Sequence, residues 1–245
     1  MLHHLALGFL LTIGVSARAA NHTGTTVEVA NRVTYHGTYK DDVEAFLGIK
    51  YAHDTSGSNR FEPPKPYTPT AGSSIQATSP GPACPQDSGV GESFLPLYLT
   101  IPSNTSEDCL SLNVNRPNGT CKDDRLPVMV FIHGKQVAFT PLGSETNAYL
   151  GGSFLVGSKD DLTTQPGGLI VESVNSGTPV IHVSLNYRLG IFGFAKSSAL
   201  SKHNAALRDQ RLALEWVKDN IAAFGGDPEN ITIHGQSSGG MYRRS

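Results

Sequence analysis

The chain has 245 residues, 38% of them hydrophobic and 16% charged, with a formal net charge of −2. This is the composition of a globular protein with one large domain or two small ones. It offers no basic face for nucleic acid and no acidic tail, and no internal repeat that would signal a solenoid. The apolar run over 5–15 is too short to cross a bilayer, so no transmembrane segment is expected from it. With Ala17-Arg18-Ala19 behind it, that run predicts a signal peptide over 1–19 and a secreted, extracellular protein. Four Asn-x-Ser/Thr sequons fit secretion. Asn21, Asn104 and Asn118 are glycosylation candidates. Asn230 is set aside because it adjoins a strand expected to be buried.

Alternating β-branched residues over 25–39 predict a small antiparallel hairpin turning at Gly37. A buried strand follows at 45–49. Prolines 63, 64, 66 and 69 make the stretch from Asn59 to Pro82 a loop. Three cysteines fit an oxidising compartment, with one disulfide and one thiol over. A bridge between Cys84 and Cys109 would close the loop between them and leave Cys121, the alternative being three unrelated buried thiols. Strands are predicted at 110–114, 126–133 and 179–186, the second a nearly continuous apolar run suited to a strand covered on both faces. Leu207, Leu214, Val217, Ile221 and Phe224 predict a helix over 204–224, stopped by Gly225-Gly226. Strands alternating with a helix imply an α/β sheet.

The alternation in Ile231-Thr232-Ile233-His234 predicts a last strand, running into Gly235-Gln236-Ser237-Ser238-Gly239. A Gly-x-Ser-x-Gly motif is common by chance. Between a strand and a helix, however, it forms a nucleophile elbow, which holds a serine on a strained turn. Ser237 is therefore the candidate nucleophile.

The stretch 224–239, with Asp209-Gln210 and Ala213-Leu214-Glu215-Trp216-Val217 ahead of it, resembles the type-B carboxylesterase/lipase family, which includes cholinesterases and fungal lipases. So does Glu107-Asp108-Cys109-Leu110-Ser111-Leu112-Asn113-Val114, a second signature. Gly81-Pro82-Ala83-Cys84-Pro85-Gln86 and Asn186-Tyr187-Arg188-Leu189-Gly190 fall in family order. The resemblance implies the N-terminal portion of an α/β-hydrolase over 20–245, with a small antiparallel sheet and part of a mostly parallel central sheet. It implies a Cys84–Cys109 disulfide and structural ion pairs Arg60–Glu107 and Arg188–Asp209. It also implies hydrolysis of a small-molecule or lipid ester by a Ser-Glu-His triad, with oxyanion donors Gly152, Ser153 and Ser238. No cofactor or metal is expected.

Two departures from the family pattern stand out. His133-Gly134 does not enter a glycine-rich loop, whereas fusing Gly134 to Gly151 restores His-Gly-Gly-Ser-Phe, which predicts a non-native insertion near 135–151. Gly134-Lys135 can be encoded by a splice-donor-like sequence and Leu150-Gly151 by an acceptor-like one, as expected of a retained intron; Gly240-Met241-Tyr242 can encode a second donor. The acid and histidine of the family come after the serine, so neither is expected within 245 residues, and none of the nine histidines matches the catalytic position. The chain as written is expected to be inactive, with its elbow strand left as a bare apolar edge. The alternative is a non-catalytic binding relative on the same fold.

Overall fold

The structure, a computed structural model, describes residues 25–40, 42–86, 102, 104–134, 154–200 and 202–240. The expectations for the signal peptide, Asn21, the 135–151 insertion, Gly152 and Ser153 lie outside those residues.

The predicted hairpin forms from β1 (Thr26–Val29) and β2 (Val33–His36), paired antiparallel with Val27 opposite Tyr35. Its turn lies at Ala30–Arg32 and not at Gly37: Asn31 adopts φ 58°, a left-handed conformation that asparagine tolerates. Gly37 instead marks the passage from β2 to β3 (Thr38–Lys40), which belongs to a second sheet. A Cβ on Gly37 would lie 2.6 Å from the Ala45 carbonyl oxygen, so the chain changes sheets there by close backbone approach. The proline-rich segment runs irregularly until β5 (Ser74–Gln76), which joins β2 in parallel. Three residues carry too little alternation to reveal such a strand in the sequence.

The second sheet adds β4 (Val43–Lys50), β6 (Ser111–Pro117), β7 (Leu126–Ile132), β8 (Ile181–Leu185) and β9 (Gly226–Gly235), in the order β3-β4-β6-β8-β7-β9. β3, β4, β6 and β8 pair antiparallel, whereas β7 runs parallel to both β8 and β9. Parallel neighbours need crossovers. α1 (Gly167–Asn175) lies in the first, between β7 and β8; α2 (Gly190–Phe194) and α3 (Ala205–Asn220) lie in the second, between β8 and β9. Val128, Val130, Ile132, Ile181, Val183 and Leu185 are all buried, as the apolar runs of β7 and β8 predict.

The helix predicted over 204–224 is α3 followed by a 3-10 turn at Ile221–Phe224, and Gly225 ends it at φ 88°. Its buried stripe is Ala206, Asp209, Gln210, Ala213 and Val217, whereas Leu207 is 43% exposed. Two polar residues on the inner face displaced the apparent apolar stripe by one position. Phe224 then joins the two sheets, its ring edge-on to Phe46 at 5.1 Å and tilted to Tyr35 at 6.3 Å.

Cys84 and Cys109 form a disulfide and both are buried, while Cys121 is free and exposed. A separation of 25 residues constrains a substantial unfolded loop. Replacing both cysteines by alanine in the full-length protein is expected to cost about 3 kcal/mol, read as a lower urea midpoint. An unchanged midpoint would remove the bridge from the stability account.

Both expected ion pairs are present. Arg60 is bonded to Glu107, with its Nε 2.7 Å from Oε2, but its side chain is 44% exposed, so the pair contributes little. Arg188 and Asp209 are buried. A third pair escaped the sequence: Glu44 and Arg116 face each other across β4 and β6, with Arg116 also donating to the Phe224 carbonyl at 2.9 Å. Among the described residues β9 is the outer strand of its sheet, and it exposes Glu229, Asn230 and Thr232 beside Ile233, so its exposed positions are mostly polar and not the bare apolar edge expected. Asn230 is exposed on that strand, contrary to its expected burial. Asn104 and Asn118 are exposed as well.

Candidate active site

β9 delivers the chain to the elbow. Ser237 has φ 51°, a left-handed conformation that is strained for any residue with a side chain. A turn holds it there, with the Gly239 N–H donating to the Gln236 carbonyl at 2.9 Å. The flanking glycines are sterically required. A Cβ on Gly239 would overlap the Ile132 carbonyl, and one on Gly235 would overlap the Gly239 backbone. Gly134 packs equally closely from the end of β7, since a Cβ there would lie 2.6 Å from both Gly239 N and Ser238 Oγ. The ends of β7 and β9 therefore meet backbone to backbone. Ser237 is exposed, while Ser238 and Gly239 are buried beneath it.

Ser238 ties the elbow to the segment that leaves the glycine-rich stretch. Its Oγ accepts from the Phe154 N–H at 3.3 Å. Tyr187 buttresses the same place: its ring stacks on His133 at 4.4 Å and its hydroxyl donates to the His133 carbonyl at 2.6 Å. Burial pushes the Tyr187 phenol well above the usual tyrosine range, opposed by its hydrogen bond with Ser238, so it stays protonated as a donor. Gln86 closes the arrangement from the disulfide side, bonding both the N–H and the carbonyl of Gly157. Tyr187 and Gln86 each lie within a family-like motif, but nothing local signals their role, because their partners are remote in the chain.

Among the described residues, the other histidines lie apart from Ser237 in the hydrogen-bond pattern. His182 and His234 flank Phe131 on the sheet, their rings 5.6 Å apart. Burial, and then the neighbouring His234, push His182 down to about 4. Among the described residues no histidine or carboxylate is hydrogen-bonded to Ser237, and no His/Cys/Asp/Glu group could hold a metal ion. The structure therefore brings together Ser237, Ser238 and Phe154, with Gly152 and Ser153 outside the described residues.

A parallel β7–β8–β9 core with a serine elbow at the end of a strand defines an α/β-hydrolase. The model of the carboxylesterase family matches residues 31–243, and the chain belongs to that family. It is 45% identical to a secreted lipase of Arthroderma benhamiae, over 95% of this chain and 37% of the relative. It is 46% identical to the inactive carboxylesterase-like protein VdtD of Byssochlamys spectabilis, over 85% of this chain and 33% of that one. A solved PNB esterase superposes with a TM-score of 0.71 at 36% identity, covering 89% of this chain and 40% of its own. The chain thus spans well under half the length of these proteins.

Proposed function

We propose that Ser237 is the nucleophile of a secreted carboxylic-ester hydrolase acting on small-molecule or lipid esters. The observation that carries this is the left-handed, exposed Ser237 between sterically obligatory glycines at the end of β9. Strain of that kind persists only where surrounding structure enforces it, and it clusters at functional sites. A secreted lipase among the relatives supports both the chemistry and the location.

Ser237 Oγ attacks the ester carbonyl while its proton passes to a histidine. The histidine returns that proton to the departing alcohol as the carbon–oxygen bond breaks, and water then releases the acid from the acyl-serine. The N–H groups of Ser238, Gly152 and Ser153 hold the oxyanion. The base and its carboxylate belong to the part of the family fold that this chain does not span. A polypeptide limited to residues 20–245 is inactive on this reading, since lacking the histidine costs on the order of 10⁶-fold.

A family-like oxyanion loop is restored when Gly134 and Gly151 are fused into a single glycine, so the segment near 135–151 is read as a retained intron. Sequencing the mature transcript tests this: a sole message that keeps the segment contradicts it. For activity, the full-length protein is expected to hydrolyse p-nitrophenyl butyrate, whereas residues 20–245 alone do not. No turnover by the full-length protein would favour a second reading, a non-catalytic relative, for which the similarity to VdtD speaks.

A further inference from the structure

We propose that Gln86 is a positioning residue for the oxyanion side of this site, coupling the Cys84–Cys109 disulfide through the 154–157 segment to Ser238, whose N–H is an oxyanion donor; this rests on the hydrolase reading above. The Gln86 amide meets Gly157 as a strand would. Its Oε1 accepts from the Gly157 N–H at 2.9 Å, and its Nε2 donates to the Gly157 carbonyl at 3.0 Å. The second Nε2 hydrogen reaches the Cys84 carbonyl at 3.1 Å. Both donors and the acceptor of one primary amide are thereby used, and no other side chain of similar length supplies that set.

The clamp acts on a segment with little freedom. Gly157 has φ 134°, and a Cβ there would lie 2.5 Å from His133 Nδ1, so its backbone lies against the end of β7. Three residues before Gly157, the Phe154 N–H is bonded to Ser238 Oγ. The segment 154–157 is therefore held at one end by the elbow and at the other by Gln86. Gln86 is anchored in turn through Cys84, whose disulfide partner Cys109 lies two residues before the start of β6. Release of the Gly157 end loosens the Phe154 bond to Ser238 and lets the Ser238 N–H drift from the position that the tetrahedral oxyanion occupies. A displacement of about 1 Å at such a site costs on the order of 10²-fold in rate.

The test uses the full-length protein. Gln86→Met keeps volume but loses all three bonds; Gln86→Glu keeps the acceptor for Gly157 N–H and loses the donors. Gln86→Met is expected to lower kcat by roughly 10- to 100-fold with KM within about twofold, and Gln86→Glu to fall between it and wild type. Affinity for a trifluoromethyl ketone, whose serine adduct places an oxyanion in the same hole, should fall by the same factor as kcat/KM. Unchanged kcat in both variants overturns the proposal. So does a loss of kcat without loss of ketone affinity, which a merely structural role would give. If Gln86→Met fails to fold, Gln86→Glu decides by the same two readouts. A wild-type protein that neither turns over ester nor binds the ketone would instead defeat the hydrolase reading itself.

Discussion

Ser237→Ala in the full-length protein is expected to lower ester turnover on the order of 10⁶-fold. On the proposed mechanism the Ser237 hydroxyl attacks, whereas Ser238 is buried beneath it with its Oγ engaged by Phe154. Because Ser237 is exposed, the change leaves no cavity, and the unfolding midpoint should stay where it was. Ser237→Gly sharpens the test. It is equally inactive, but glycine adopts φ 51° without steric penalty, so that variant should be more stable by about 1 kcal/mol. Inactivity with gained stability is the signature of strain held for function. A Ser237→Gly protein less stable than wild type would show that the elbow is not strained.

The second large effect is on stability. Asp209→Ala is expected to destabilise the full-length protein by about 3–5 kcal/mol, enough to cut its soluble yield. Asp209 accepts three bonds from Arg188: the backbone N–H at 3.0 Å, Nε at 2.8 Å and Nη2 at 2.7 Å. Burial pushes the Asp209 carboxyl up, and those bonds oppose the shift. Removing the carboxylate strands a guanidinium whose side chain is only 3% exposed and whose Nη1 already has no partner among the described residues. The pair joins the segment after β8 to α3, so its loss also loosens the crossover that leads to β9. Glu107→Ala, at the half-exposed Arg60 pair, should cost under about 1 kcal/mol. Urea midpoints compare the two; equal effects would contradict the role of burial.

Where one signal repeats along the chain, the sequence was a sound guide to the structure. The apolar runs of β7 and β8 and the Gly-x-Ser-x-Gly context of Ser237 lie in consecutive residues, and the structure contains them close to their expected positions. The disulfide and the Arg188–Asp209 pair join remote residues; cysteine usage suggested the first and the resemblance implied both, whereas charge alone did not single out the ion pair. Three things stayed hidden for physical reasons. β5 is too short to show alternation, and it pairs in parallel with a strand far back in the chain. The inner face of α3 carries Asp209 and Gln210, which look like solvent residues until their partners are seen. Glu44 and Arg116 become a buried pair only through the register of β4 on β6. At the site, Tyr187 and Gln86 work through backbone carbonyls and amides, which have no sequence signature.

The direct measurement of the central claim is covalent labelling. The full-length protein, made from the mature transcript, is treated with a fluorophosphonate, digested, and its peptides are mapped by mass spectrometry. The adduct is expected on Ser237 alone, at one per molecule, and on the proposed mechanism it is expected to be absent from a polypeptide limited to residues 20–245. An adduct on another serine, or none on a folded full-length protein, would contradict the assignment of Ser237 as nucleophile.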